Sequence, residues 1–200
     1  MFDLRFVEGE LLFFTRDEGL LRRRRRTVHF AIDLGDLFHS RLSGYGYQFG
    51  VLAQSLCLRI LDDLLAVFAD DSVHAVVHYL HGQDRPEPLE EESRLLRLLL
   101  SDAIEHQWAE VRVAPTLSLS ELRDVQRKQY LLVFAGDNAA HWQRQLESAR
   151  AEESVHGLVV QVGPGPEHGA GNLWRLPPEG LAIDELTRIK DQLVQHTVGG

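Results

Sequence analysis

The chain has 200 residues, 44% hydrophobic and 26% charged, with a formal net charge of −9. These values describe an ordinary folded domain with a sizeable core and exclude global disorder. The acidic balance argues against a general nucleic-acid binder. A single cysteine, Cys57, excludes a disulfide framework and a cysteine-based zinc site. No apolar stretch reaches the ~18 residues of a membrane span, and Met1 to Arg5 lacks the residue order of a signal peptide, so the expected location is the cytoplasm.

Residues 2–7 and 10–14 alternate around Glu8-Gly9 and predict an N-terminal β-hairpin. An unbroken run of five arginines, Arg22 to Arg26, leads from it into a short apolar strand, Val28 to Asp33. A Gly/Ser/Tyr loop precedes a helix over 47–69, where Phe49, Leu52, Leu56, Ile60, Leu64 and Val67 repeat at helical spacing. Its broad apolar surface implies packing on a sheet. Residues 73–80 predict a buried strand, 89–107 a helix with acids in its first turn, and 110–114 a short strand. A short helix over 118–126 and a strong strand over 129–135 follow. Then come a helix over 139–152, a strand over 156–162 and a Gly/Pro-rich loop over 163–172. An edge strand at 173–176 and an amphipathic helix over 182–195 complete the chain.

Alternating strands and helices predict an α/β Rossmann-like three-layer sandwich, with a mostly parallel central sheet and helices on both faces. The chain divides into a hairpin and basic lead-in (1–26) and an α/β domain (27–200). Ligands of such folds bind at the carboxyl ends of the strands. Asp33 and Asp137 end two of the strongest strands, so chemistry is expected there.

Common catalytic motifs are missing. The sequence has no phosphate-binding Gly-x-x-x-x-Gly-Lys-Ser/Thr loop and no Gly-x-Ser-x-Gly elbow. Among ten histidines, His74, His78 and His81 invite a metal reading. On a strand, however, His74 and His78 stand about 13 Å apart, and His81 points to the other face, so one zinc ion cannot take all three. Cys57 reads as a small buried hydrophobe, and Glu90 to Glu92 as a helix start.

Four features occur in a suggestive order: the basic segment, the strand ending Ala31-Ile32-Asp33-Leu34-Gly35-Asp36-Leu37, the loop Pro115-Thr116-Leu117-Ser118, and the strand ending Ala135-Gly136-Asp137-Asn138. This order resembles the von Willebrand factor A-type (vWA) domain, especially the divergent bacterial versions associated with AAA+ ATPases. In that family an Asp-x-Ser-x-Ser strand end, a loop Thr and a later Asp hold Mg²⁺, the oxygen-rich environment a hard cation requires. The resemblance assigns the first motif Asp to Asp33, the loop Thr to Thr116 and the later Asp to Asp137. The two serine positions hold Gly35 and Leu37, which carry no side-chain oxygen, and Asp36 is out of register. The site is therefore degenerate. Any metal would be Mg²⁺ on Asp33, Thr116 and Asp137, and the expected state is without a cofactor.

A second resemblance is to NYN/PIN-like nucleases, whose carboxylates surround a catalytic metal. Here it would draw on Asp33, Asp36 and Asp137, with Asp124 more distant. The two families part at one feature. The vWA type has an antiparallel edge strand beside the strand at 73–80; the nuclease type does not.

The sequence leaves enzymatic activity open and leans against it. The favoured reading is a non-enzymatic protein-interaction (adaptor or scaffold) subunit of a larger bacterial assembly. Its partner would be an AAA+ ATPase or another subunit of the same system, met near Asp33, Asp36, Ser40, Thr116 and Asp137 at the carboxyl end of the sheet. The alternative is a divergent metal-dependent ribonuclease of the NYN/PIN type. Acids at strand ends also serve structurally, as helix caps or turn formers, and Asp137-Asn138 stands where it would cap a helix. Arg22 to Arg26 reads as a solvated lead-in or as a contact for an acidic protein. It lacks the interleaved aromatics of a nucleic-acid site.

Overall fold

A computed structural model describes residues 26–41, 47–67, 73–82, 89–122, 129–151, 155–162, 173–175 and 191. Six strands are present among them: β1 (Arg26–Asp33), β2 (Val73–Leu80), β3 (Ala109–Ala114), β4 (Gln129–Ala135), β5 (His156–Gln161) and β6 (Leu173–Arg175). They form one sheet in the order β3-β2-β1-β4-β5-β6, every pair parallel. Four α-helices are described: α1 (Phe49–Val67), α2 (Glu90–Leu99), α3 (Ser101–Glu105) and α4 (Ala139–Ala151).

The strands are long apolar runs because both of their faces are covered. On one face Val28, Phe30, Ile32, Val77, Tyr79, Leu132 and Phe134 pack with Ala53, Ile60 and Leu64 of α1 and Leu96 of α2. On the other, Ala31, Leu131, Val133 and Val159 pack with Trp142, Leu146 and Ala149 of α4 and with Leu117 and Leu122. The result is the three-layer α/β sandwich that the alternation of elements predicts.

The strand order reverses direction between β1 and β4. From β1 the chain steps outward through α1, α2 and α3 to β3; from β4 it steps the other way through α4 to β5. Such a reversal opens a crevice at the carboxyl ends of the two central strands. Asp33 and Asp137 stand there.

Several expectations are corrected. The helix expected over 89–107 is divided at Leu100, whose backbone (φ −99°, ψ 15°) leaves the helical range. The helix expected over 118–126 is a 3-10 turn, Leu119–Leu122, within the described residues. The edge strand β3 runs parallel to β2, not antiparallel as the vWA resemblance implies. An antiparallel neighbour needs only a tight turn, whereas α2 and α3 carry the chain back along the sheet before β3 begins, which produces a parallel strand. Arg26, assigned to the lead-in, is the first residue of β1 and pairs with Val73. The N-terminal hairpin, Arg22 to Arg25, the loop over 163–172 and all but one residue of the expected helix over 182–195 lie outside the described residues.

Candidate functional site at the carboxyl end of the sheet

Asp33 ends β1, and the parallel register sets it beside Ala135 of β4. The chain leaves β4 through Gly136, whose N–H donates to the Asp33 carbonyl (3.2 Å), and enters α4 directly. Asn138 occupies the position before that helix, its carbonyl accepting from the N–H groups of His141 (3.0 Å) and Trp142 (3.2 Å). Its side chain does not cap the helix. Instead Asn138 Nδ2 donates to Asp33 Oδ2 at 2.5 Å, and the indole Nε1 of Trp142 donates to the same oxygen at 2.8 Å. One carboxylate oxygen thus ties β1 to the first turn of α4.

Burial holds the Asp33 carboxyl above the usual carboxylate range, because the charged form loses water. The Trp142 and Asn138 donors work in the opposite direction, and His141 adds a smaller opposing effect. Asp33 is therefore a half-buried acceptor engaged in structure.

The two positions where the vWA motif has serines have other uses here. Gly35 takes φ +54°, the left-handed region that glycine enters without steric cost. It opens a 3-10 turn, Gly35–His39, in which Leu37 packs against the core and Phe38 is buried within it. Asp36 is exposed on this turn. Ser40 follows, half-buried, with its hydroxyl donating to the Asp36 carbonyl at 3.3 Å. Phe49 N–H then donates to the Ser40 carbonyl (3.0 Å), closing the loop onto α1.

Asp137 is exposed beside Asn138. Thr116 is exposed beyond β3, where Gly82 N–H donates to the Pro115 carbonyl (3.0 Å) and Leu117 turns inward beside Leu131 and Trp142. The structure thus brings Asp33 and Asp137 to neighbouring strand ends, with Asp36 and Ser40 on the turn leaving β1. Thr116 stands at the same end of the sheet, beyond β3. Asp124 falls outside the described residues. Among the described residues no group of three or more His, Cys, Asp or Glu could hold a metal ion, and no helix is long and apolar enough to cross a membrane.

Sequence reasoning missed Trp142 and a buried polar cluster farther along β1. His29 Nε2 lies 2.9 Å from Gln129 Oε1, and His29 Nδ1 lies 3.0 Å from His78 Nε2. The amide oxygen can only accept, so His29 donates from Nε2 and accepts at Nδ1 from the Nε2–H of His78. In this assignment His29 is neutral. Burial lowers the pKa values of both rings, to about 4 for His29 and about 3 for His78. His78 is buried and bonded. The available signal was Thr27 and His29 at alternate positions of an otherwise apolar strand, a pattern that places both on one face.

No curated protein and no solved structure matches the chain. Over residues 1–145 it matches ivWA, described as the vWA domain found in the FtsH ternary systems. With more than half of its length so matched, the chain belongs to this vWA family.

Proposed function

We propose that this chain is a non-enzymatic adaptor that binds a protein partner of an FtsH-type protease/ATPase system at the carboxyl end of its sheet, without a bridging metal. The observation that carries the reading is the use of Asp33. In a vWA metal site this carboxylate faces a cation together with two serines. Here it accepts from Asn138 and Trp142, while Gly35 and Leu37 stand at the serine positions. Of the candidate residues at this end, Asp36, Thr116 and Asp137 are exposed and Ser40 is half-buried. These are groups that pair with basic and polar side chains of a partner. The family description, vWA domain of FtsH ternary systems, supports a partner from that system.

The test is affinity purification from the native host with the parent chain and with Asp137→Arg/Thr116→Arg. The reading expects a protease or ATPase component of an FtsH system with the parent chain and its loss with the variant. Recovery of that component equally by both would remove the carboxyl end from the interface.

One observation favours the second reading, a divergent NYN/PIN-like ribonuclease: the parallel pairing of β3 with β2. It would need Asp33, Asp36 and Asp137 to share a metal, and Asp33 is engaged elsewhere. Incubation with single- and double-stranded RNA and Mn²⁺ separates the two. Cleavage that disappears in Asp137→Ala would establish the nuclease and overturn the adaptor.

A further inference from the structure

Among the described residues β3 has a strand neighbour on one side alone, β2. Its backbone shows which groups face away from that neighbour. Ala75 N–H donates to the Trp108 carbonyl (2.8 Å) and His81 N–H to the Ala114 carbonyl (3.2 Å). In a ladder the residues of one strand point their backbone groups to alternate sides. The register that pairs Ala75 with Ala109 and Leu80 with Ala114 therefore directs Glu110 and Arg112 toward β2, and Ala109, Val111 and Val113 outward. The Val111 carbonyl agrees with this: it accepts from the Arg97 guanidinium (3.2 Å), which reaches it from α2. A carbonyl oxygen has two lone pairs, so one is left for a second donor. Outward N–H and C=O groups on an edge strand are a template for another strand.

The side chains of β3 indicate which strand fits. Ala109, Val111 and Val113 pack on the α1–α2 side of the sheet, so Glu110 and Arg112 project from the other side. Within the strand Arg112 Nε and Nη2 donate to the two Glu110 carboxylate oxygens at 2.7 and 2.6 Å. Both side chains stay about half exposed, 52% for Arg112 and 45% for Glu110. An acid and a base placed evenly about Val111 make this edge complementary to itself, the requirement of a two-fold contact. Antiparallel pairing about an axis at Val111 sets Val111 against Val111, Ala109 against Val113 and Glu110 against Arg112 of the other copy. The outward residues 109, 111 and 113 then form the hydrogen-bonded pairs. Each Glu110 and Arg112 falls in a non-hydrogen-bonded pair, where facing side chains approach most closely. The next registers that keep the backbone bonds lie two residues away. They set Glu110 against Glu110 or Arg112 against Arg112, so the charges select the one centred on Val111.

We infer that two copies of this chain join their sheets through the outer edge of β3, antiparallel and two-fold about Val111, with Glu110 of each copy facing Arg112 of the other. The carboxyl ends of the two sheets then point in opposite directions. The contact is independent of the proposed partner site at the carboxyl end, and each can fail without the other.

Sedimentation equilibrium of the full chain from about 1 to about 500 µM is the first test. The mass should rise with concentration from 22.7 kDa toward twice that value. Glu110→Arg and Arg112→Glu should each weaken association about tenfold, since each sets two symmetry-related like-charge pairs face to face. The double variant Glu110→Arg/Arg112→Glu should restore it. Circular dichroism checks that each variant is folded. The second test reads the register. Mixed under mild oxidation, Glu110→Cys and Arg112→Cys chains should cross-link, because facing Cα atoms stand about 4.5 Å apart, within the reach of a disulfide. Either variant alone places its two cysteines about 8 Å apart and should not cross-link. The native Cys57 is buried and does not compete. A parent chain monomeric at every concentration overturns the inference. So does a dimer indifferent to the charge reversals, a double variant no better than the single ones, or cross-linking by one variant alone as efficient as by the mixture.

Discussion

Replacing Asp33 separates a structural acid from a metal ligand. In Asp33→Ala the Trp142 indole N–H and the Asn138 amide lose their acceptor together. Hydrogen bonds to a charged group contribute about 1.5–3 kcal/mol each. Asp33 is only half-buried, so water can reach part of the site and the lower end of that range applies. A loss of about 3 kcal/mol follows, which for a chain of this size lowers Tm by about 6–12 °C. Asp33→Asn keeps an acceptor oxygen and removes the cost of burying a charge. It should lie within about 1 kcal/mol of the parent at neutral pH. The pH dependence has a definite sign. The native pKa is raised, so this residue's contribution is complete below its ordinary value and declines as pH rises through the native value. The asparagine variant should therefore gain on the parent as pH increases. Thermal and denaturant unfolding of the three proteins over a pH series makes the comparison. An alanine variant as stable as the parent, or an asparagine variant as damaged as the alanine one, would refute the assignment.

Three further outcomes are expected. His29 and His78 are neutral in the fold with lowered pKa values, so the unfolded chain takes up more protons below its ordinary value of 6.5. Stability should fall from there toward pH 5 by about 1.4 kcal/mol per pH unit for each histidine, and His78→Gln should roughly halve that slope in denaturant titrations. In Gly50→Ala the new Cβ would run into the buried Phe38 ring, which anchors the turn carrying Asp36. The substitution should cost about 1–3 kcal/mol and weaken partner binding, read by unfolding and by affinity. Cys57 is buried, and burial pushes its thiol up. It should resist a thiol reagent in the native protein and react only at the unfolding rate.

What the sequence shows of this fold follows from what each element requires locally. The strand at 129–135 stands out as an apolar run after its first residue and that at 73–80 as a valine-rich run carrying two histidines, and both occur at those bounds. α1 announces itself by its repeating leucines because one side of it must cover a sheet. The direction of β3 has no such signature, since it depends on where α2 and α3 deliver the chain. Asp33 and Asp137 are identifiable as strand-end acids. The role of Asp33 is not, because its partners lie 105 and 109 residues away and meet it only once β4 pairs with β1. The same reason conceals the histidine pair, 49 residues apart in the chain. Each histidine alone looks like a polar strand position, and only the parallel pairing of β1 with β2 joins them.

The most direct test of the adaptor account is the affinity of this chain for the FtsH-system component that the account proposes as its partner, measured in EDTA and in Mg²⁺. The account predicts equal affinity in both, preserved in Asp33→Asn and lost in Asp137→Arg/Thr116→Arg. Binding that requires Mg²⁺ and disappears in a folded Asp33→Asn would contradict it, showing that Asp33 serves the metal contact of a vWA site.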